Sequence, residues 1–164
     1  MLRAFSYSPI VPLLVSELFY QGRDLFSTMA AKNPFRTTLV APCGMNCAIC
    51  SAFLREKNRC DGCNSPDRRC NRNCTISSCD QVRGRYRHTC AEYPCRRLRQ
   101  LDKRYRTRYH MSMIGNLEAI REHGIRNFVK TERERWTCRD CGGTIDVHHG
   151  RCSSCGKERE EGEH

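Results

Sequence analysis

No run of apolar residues in the chain approaches the length of about 20 that a helix needs to cross a bilayer, so no helical membrane span is expected. A signal peptide is only faintly suggested, and export is not the reading adopted. The apolar stretch Ile10–Val15 stands behind Arg3, but Glu17 and the polar residues 21–24 interrupt the pattern. A secreted disulfide framework would be expected behind such a leader. Apolar residues make up only 38% of the 164 positions, and fourteen of these are cysteines. The oily core is therefore thin, and chains of this kind rely on disulfides or metals for stability.

Cysteine spacing decides between those two. Ten cysteines fall between Cys43 and Cys95, and four more at Cys138, Cys141, Cys152 and Cys155. They recur as C-x2-C or C-x3-C doublets at 47/50, 60/63, 70/74, 138/141 and 152/155. A doublet puts two thiolates on one tight turn, where both reach a single tetrahedral ion but pair poorly with each other. Metal is the reading adopted, with a disulfide scaffold as the alternative. Thiols in this number imply a reducing compartment, hence a cytoplasmic location. The formal charge of +11 suggests an acidic partner. An ion held by four thiolates carries a net charge of about −2, so three such sites would leave roughly +5.

In chain order, residues 1–36 read as an N-terminal extension, disordered or upstream of a true start at Met29. Residues 37–95 form the Cys-rich module, 96–135 a basic helical segment, 136–157 a zinc ribbon and 158–164 a charged tail. Within the module, Cys50 leads into a short helix, and Gly62 is suited to a positive φ that turns backbone N–H groups toward a thiolate. Residues 66–90 show no persistent period and read as irregular loops. Leu98, Leu101 and Tyr105 keep helical spacing with a basic outer face. Ser112 is the N-cap of a second helix ended by Gly124, and Ile125, Phe128 and Val129 begin a third. The ribbon reads C-x2-C-x10-C-x2-C with a glycine after each doublet, and Ile145 and Val147 alternate as one strand of the connecting hairpin. His148 and His149 are superfluous as ligands there and read as solvated loop residues.

The ribbon is coordinatively closed and offers no position for catalysis. The ten-cysteine cluster, Cys43, Cys47, Cys50, Cys60, Cys63, Cys70, Cys74, Cys79, Cys90 and Cys95, leaves its partition open. One arrangement joins Cys47/Cys50 to Cys60/Cys63, leaving Cys70, Cys74, Cys79, Cys90, Cys95 and His88 for a second ion. The other starts from Cys43-x3-Cys47-x2-Cys50, the thiolate spacing of a [4Fe–4S] cluster in radical enzymes that use S-adenosylmethionine. Those enzymes are barrels larger than this chain, and no glycine-rich cosubstrate segment follows. A plain Fe–S cluster, with Cys95 as a further ligand, stays open. A nucleophilic Cys43 or Cys95 beside His88 has no support from spacing. The Arg-rich residues 96–108, with Arg97, Arg104 and Arg108, could track a phosphate backbone. A solvated face is the plainer alternative.

Together these pieces carry a resemblance. Cys43-Gly44-x2-Cys47-x2-Cys50, Cys60-x-Gly62-Cys63, Tyr93-Pro94-Cys95-x2-Leu98, Arg104-Tyr105-Arg106-Thr107 and Trp136-x-Cys138 resemble an uncharacterised prokaryotic Cys-rich domain family, a "domain of unknown function", in its form with a C-terminal zinc ribbon. The resemblance covers Pro42 to Gly156 and implies a metal-binding protein without an established activity. One position departs from it. The family's C-x2-C-x4-C has Arg87 in place of its first cysteine, so Cys90 lacks a doublet partner unless His88 substitutes.

The expectation is a small, irregular, metal-stabilised α+β protein holding two to three zinc ions, the alternative being one [4Fe–4S] cluster in the main module. It is expected to be a non-enzymatic interaction module with a protein or nucleic-acid partner, its two ligand sets metallated independently.

Overall fold

The computed structural model describes residues 34–66, 73–81 and 85–159. The expectations for the N-terminal extension before residue 34 and for Cys70 lie outside these residues. Backbone contacts divide the chain after Ala31, and all described residues belong to the unit Lys32–His164. Among them, no helix is long and apolar enough to cross a membrane.

Among the described residues, three α-helices and one two-stranded antiparallel sheet make up the regular structure, a small α+β arrangement. After a 3-10 turn at Thr37–Leu39, the Cys-rich segment runs through a second at Cys47–Ile49 into α1, Ser51–Leu54. The second turn starts where the Asn46 side chain accepts from Ala48 N–H at 3.1 Å. A further 3-10 turn at Arg87–Thr89 precedes α2, Arg96–Tyr109. His110 ends α2 in the left-handed region, φ 51°. α3 spans Met113–Trp136. Ser112 caps it as expected, its Oγ accepting from Gly115 N–H at 2.9 Å. Gly124 stands at φ 78° and ψ 157°, so α3 is two helical halves meeting at a break, where the sequence called for one helix to end and another to begin. β1, Ile145–Asp146, pairs with β2, Arg151–Cys152, in the register Ile145–Cys152 and Asp146–Arg151.

The corner between α2 and α3 is held by a buried carboxylate. Asp102 accepts from Ser112 Oγ at 2.7 Å and Ile114 N–H at 3.1 Å, and pairs with Arg106 at 2.9 Å. The one acidic residue of α2 is thus turned inward, and this leaves the helix's outer face cationic. Leu98, Met111, Met113 and Leu117 close the core against Val40, Ile49 and Phe53.

A second buried acid ties the Cys-rich segment to α3. Glu132, 3% exposed, accepts from Asn46 Nδ2 at 3.3 Å and from Trp136 Nε1 at 3.2 Å. Burial raises its pKa against the opposing pull of Asn46, Arg135 and Trp136. An acid whose pKa rises on folding contributes stability that is fully present below the unfolded value, about 4.3 for glutamate, and is lost as pH rises through the folded one. The unfolding free energy of Glu132→Gln minus that of the wild chain should therefore climb as pH rises from that value. Denaturation at matched pH measures it, and a flat difference would refute the perturbed titration.

Candidate metal centre

Cys138, Cys141, Cys152 and Cys155 come together at the base of the β1–β2 hairpin. Their four sulfurs lie within 4.8 Å of one another. Cys138 and Cys155 Sγ are 3.8 Å apart, Cys141 and Cys152 Sγ 3.5 Å. Each doublet builds the same knuckle. Gly142 N–H donates to Cys138 O at 2.9 Å and Gly156 N–H to Cys152 O at 3.0 Å, both glycines at positive φ. Further backbone N–H groups point at sulfur, Gly143 to Cys141 and Ser154 to Cys152, each at 3.4 Å. These donors favour thiolate over thiol. Burial pushes the Cys141 thiol up to about 12, while the Lys157 backbone N–H brings Cys155 down to about 7. The four sulfurs exchange hydrogen bonds among themselves. A cation at their centre would displace the remaining protons. The quartet could hold a metal ion, and nothing but sulfur would reach it.

In the main cluster, Cys43, Cys47, Cys50, Cys60, Cys63 and Cys74 line one cavity of about 650 Å³. No disulfide joins any of the described cysteines. Gly62 has φ 98°, and the next N–H, from Cys63, donates to Cys47 Sγ at 3.3 Å, the turn expected from the sequence. Its hydrogen bond with Cys63, reinforced by burial, pushes the Cys47 thiol well above its ordinary value. Burial lifts Cys43 to about 12, with Cys63 and Cys74 as like-charged neighbours. Cys60 shares the cavity. Even so, the described residues contain no second group of three ligand atoms as close as the ribbon quartet.

The second set foreseen from the sequence is dispersed. Cys74 joins the cavity, whereas Cys79, Cys90, Cys95 and His88 do not line it. His88 stacks on Tyr86 with centroids 5.9 Å apart. Arg87, at the position of the missing cysteine, is 2% exposed and donates to the Ile76 carbonyl, while its own N–H reaches Pro42 O at 2.9 Å. Its guanidinium hydrogen-bonds Cys79 and holds that thiol below its usual range. A fixed cation thus stands where the family resemblance would put a ligand. Of the basic residues, Arg97, Arg104 and Arg108 are exposed, and the first two also edge the cavity.

His148 corrects the reading of both ribbon histidines as solvated. Its side chain is 17% exposed, against 54% for His149. Nδ1 accepts from Ser51 N–H at 3.2 Å, and Nε2 lies 3.2 Å from Tyr105 Oη. The ring also stands edge-on to Tyr109, 4.8 Å between centroids. Asp146 and then Cys50 raise its pKa to about 9. Val147 N–H donates to Ile49 O at 2.9 Å, so the hairpin tip is docked on the Cys-rich segment and the two modules are not independent in structure. The available signal was the strand alternation itself: it puts Ile145 and Val147 on one face and Asp146 and His148 on the other. The chain matches no protein-family model, no curated protein and no solved structure.

Proposed function

We propose that this is a zinc-dependent, non-enzymatic interaction module. The observation that carries the reading is the spacing of the ribbon sulfurs. Zinc–sulfur bonds of about 2.3 Å in a tetrahedron require sulfurs about 3.8 Å apart, and the measured 3.8 and 3.5 Å fit that demand. Four thiolates leave no open coordination position, so the ion serves folding: it closes the hairpin that presents Val147 and His148 to the Cys-rich segment. Elemental analysis tests this directly. One zinc per chain should be lost on Cys138→Ser, and retention of that zinc would refute the assignment.

The working surface in this reading is the outer face of α2, with an acidic partner such as a nucleic-acid backbone. Asp102 is buried, and the exposed residues Arg96, Arg97, Arg99, Lys103, Arg104, Arg106 and Arg108 face water along it. Replacing Arg97, Arg104 and Arg108 together by Gln should flatten the log–log salt dependence of binding to single-stranded nucleic acid. Each lost phosphate contact is worth a slope of about 0.7. Salt-independent binding, or a slope unchanged by the replacements, would remove nucleic acid as the partner. Metal content is measured alongside, because Arg97 and Arg104 edge the thiol cavity.

A further inference from the structure

The thiol cavity differs in kind from the ribbon quartet. A single tetrahedral ion takes four ligands at the close spacing just described. The cavity offers six thiols, more than one ion can use, and they surround a space of about 650 Å³. Among the described residues, no three ligand atoms there come within 4.8 Å of one another, whereas the ribbon's four do. The thiols share a space without converging on a point. That is the arrangement required when ligand sulfurs are distributed over several metal ions, since each additional ion separates the sulfurs it binds from those bound elsewhere.

The rest of the lining agrees. Among the described residues no aspartate or glutamate lines the cavity, so the carboxylates that hard cations favour are missing from its described wall. Arg97 and Arg104 line it instead, and they suit an occupant of net negative charge, as thiolate-rich clusters are. Phe53, Ile76, Leu101 and Met113 supply apolar wall. The Cys63 N–H on Cys47 Sγ is a hydrogen bond of the type that stabilises thiolate in clusters.

We propose that this cavity is a second metal centre, a polynuclear metal–thiolate cluster held chiefly by Cys43, Cys47, Cys50 and Cys63, with Cys60 and Cys74 at its margin. It is independent of the ribbon ion. The composition this arrangement fits is iron bridged by inorganic sulfide, in which each iron takes its own cysteine and the cysteine sulfurs stand apart, whereas a zinc–thiolate cluster would still need four close sulfurs around each ion.

The full chain is purified anaerobically from medium containing both metals, and iron, zinc and acid-labile sulfide are counted per chain. The expected result is more than one metal ion beyond that of the ribbon, with a metal–metal scattering shell in X-ray absorption. Iron with equimolar sulfide is the composition expected, and extra zinc without sulfide would overturn it. Cys47→Ser with Cys63→Ser should release these ions and leave the ribbon zinc, whereas Cys138→Ser releases the ribbon zinc. A single ion or none in the cavity of the unmodified chain, or the absence of metal–metal scattering, overturns the proposal. Because that measurement needs no variant, a misfolded double mutant does not obscure it. Failure of the ribbon assignment would show separately, as zinc unaffected by Cys138→Ser.

Discussion

Replacing Cys152 with serine is expected to unfold the hairpin and to weaken the Cys-rich segment beyond it. Cys152 sits in β2, 2% exposed, with Cys141 Sγ at 3.5 Å and with its backbone N–H on Lys157 O at 2.8 Å. The sheet has two residues per strand, too few to persist alone. If the quartet holds a structural zinc as proposed, metal binding supplies the folding free energy of this part, on the order of 10 kcal/mol. Its loss frees residues 137–159. It also breaks the Val147 N–H to Ile49 O bond and withdraws His148 from Ser51 and Tyr105. Two readouts are needed: protease cleavage confined to the ribbon, and the thermal midpoint of the remaining chain. Cleavage with an unchanged midpoint would show that hairpin docking contributes nothing to the body. Resistance to cleavage would show that the hairpin folds without its ion.

Gly44→Ala should be nearly as damaging, although it adds one methyl group. Gly44 lies at φ 88°, in the turn between Cys43 and Cys47 where Gly44 N–H donates to Ala41 O at 3.0 Å. A side chain there costs about 1–2 kcal/mol from backbone strain. A Cβ would also stand 2.6 Å from Met113 O and 3.0 Å from Leu117 Cγ, in the first turn of α3. Neither a helix carbonyl nor a fully buried leucine can withdraw cheaply, and overpacking of this kind adds about 1–3 kcal/mol. The total is about 2–5 kcal/mol, read by denaturant unfolding of the metal-loaded protein. The same turn carries Cys43 and takes the Asn116 Nδ2 bond on Gly44 O at 2.9 Å, so metal in the thiol cavity should bind more weakly as well. Stability within about 0.5 kcal/mol of the wild chain would show that the turn can relax away from α3.

Several local features could be read from the residues because they close over a few positions. The C-x2-C-Gly knuckles need only their own backbone: each bonds across four residues, and glycine takes the positive φ that ends the turn. Ser112 as cap, the break at Gly124 and the positive φ of Gly62 are local in the same sense. So is the basic face of α2, although the inward turn of Asp102 that makes it so cationic depends on Ser112 and Ile114 across the corner.

Which thiols meet, and on what terms, was decided only by packing. Spacing left open whether Cys47/Cys50 join Cys60/Cys63 around one ion or group with Cys43, and the structure places all of these around a common cavity with Cys74. The position of His148 depends on Ser51, 97 residues earlier, and that of Glu132 on Asn46, 86 residues earlier. Arg87 took the place of an expected ligand, and only burial beside Ile76 and Cys79 shows it as a fixed internal cation. Thus the residues by themselves determined that the chain carries closely spaced thiols in tight turns that could hold a metal, since a turn is a short-range balance of sterics and hydrogen bonds. The tertiary structure decided that one set converges, another surrounds a cavity, and the hairpin of the first docks on the second. Those outcomes depend on distant segments excluding water together, which no local spacing encodes.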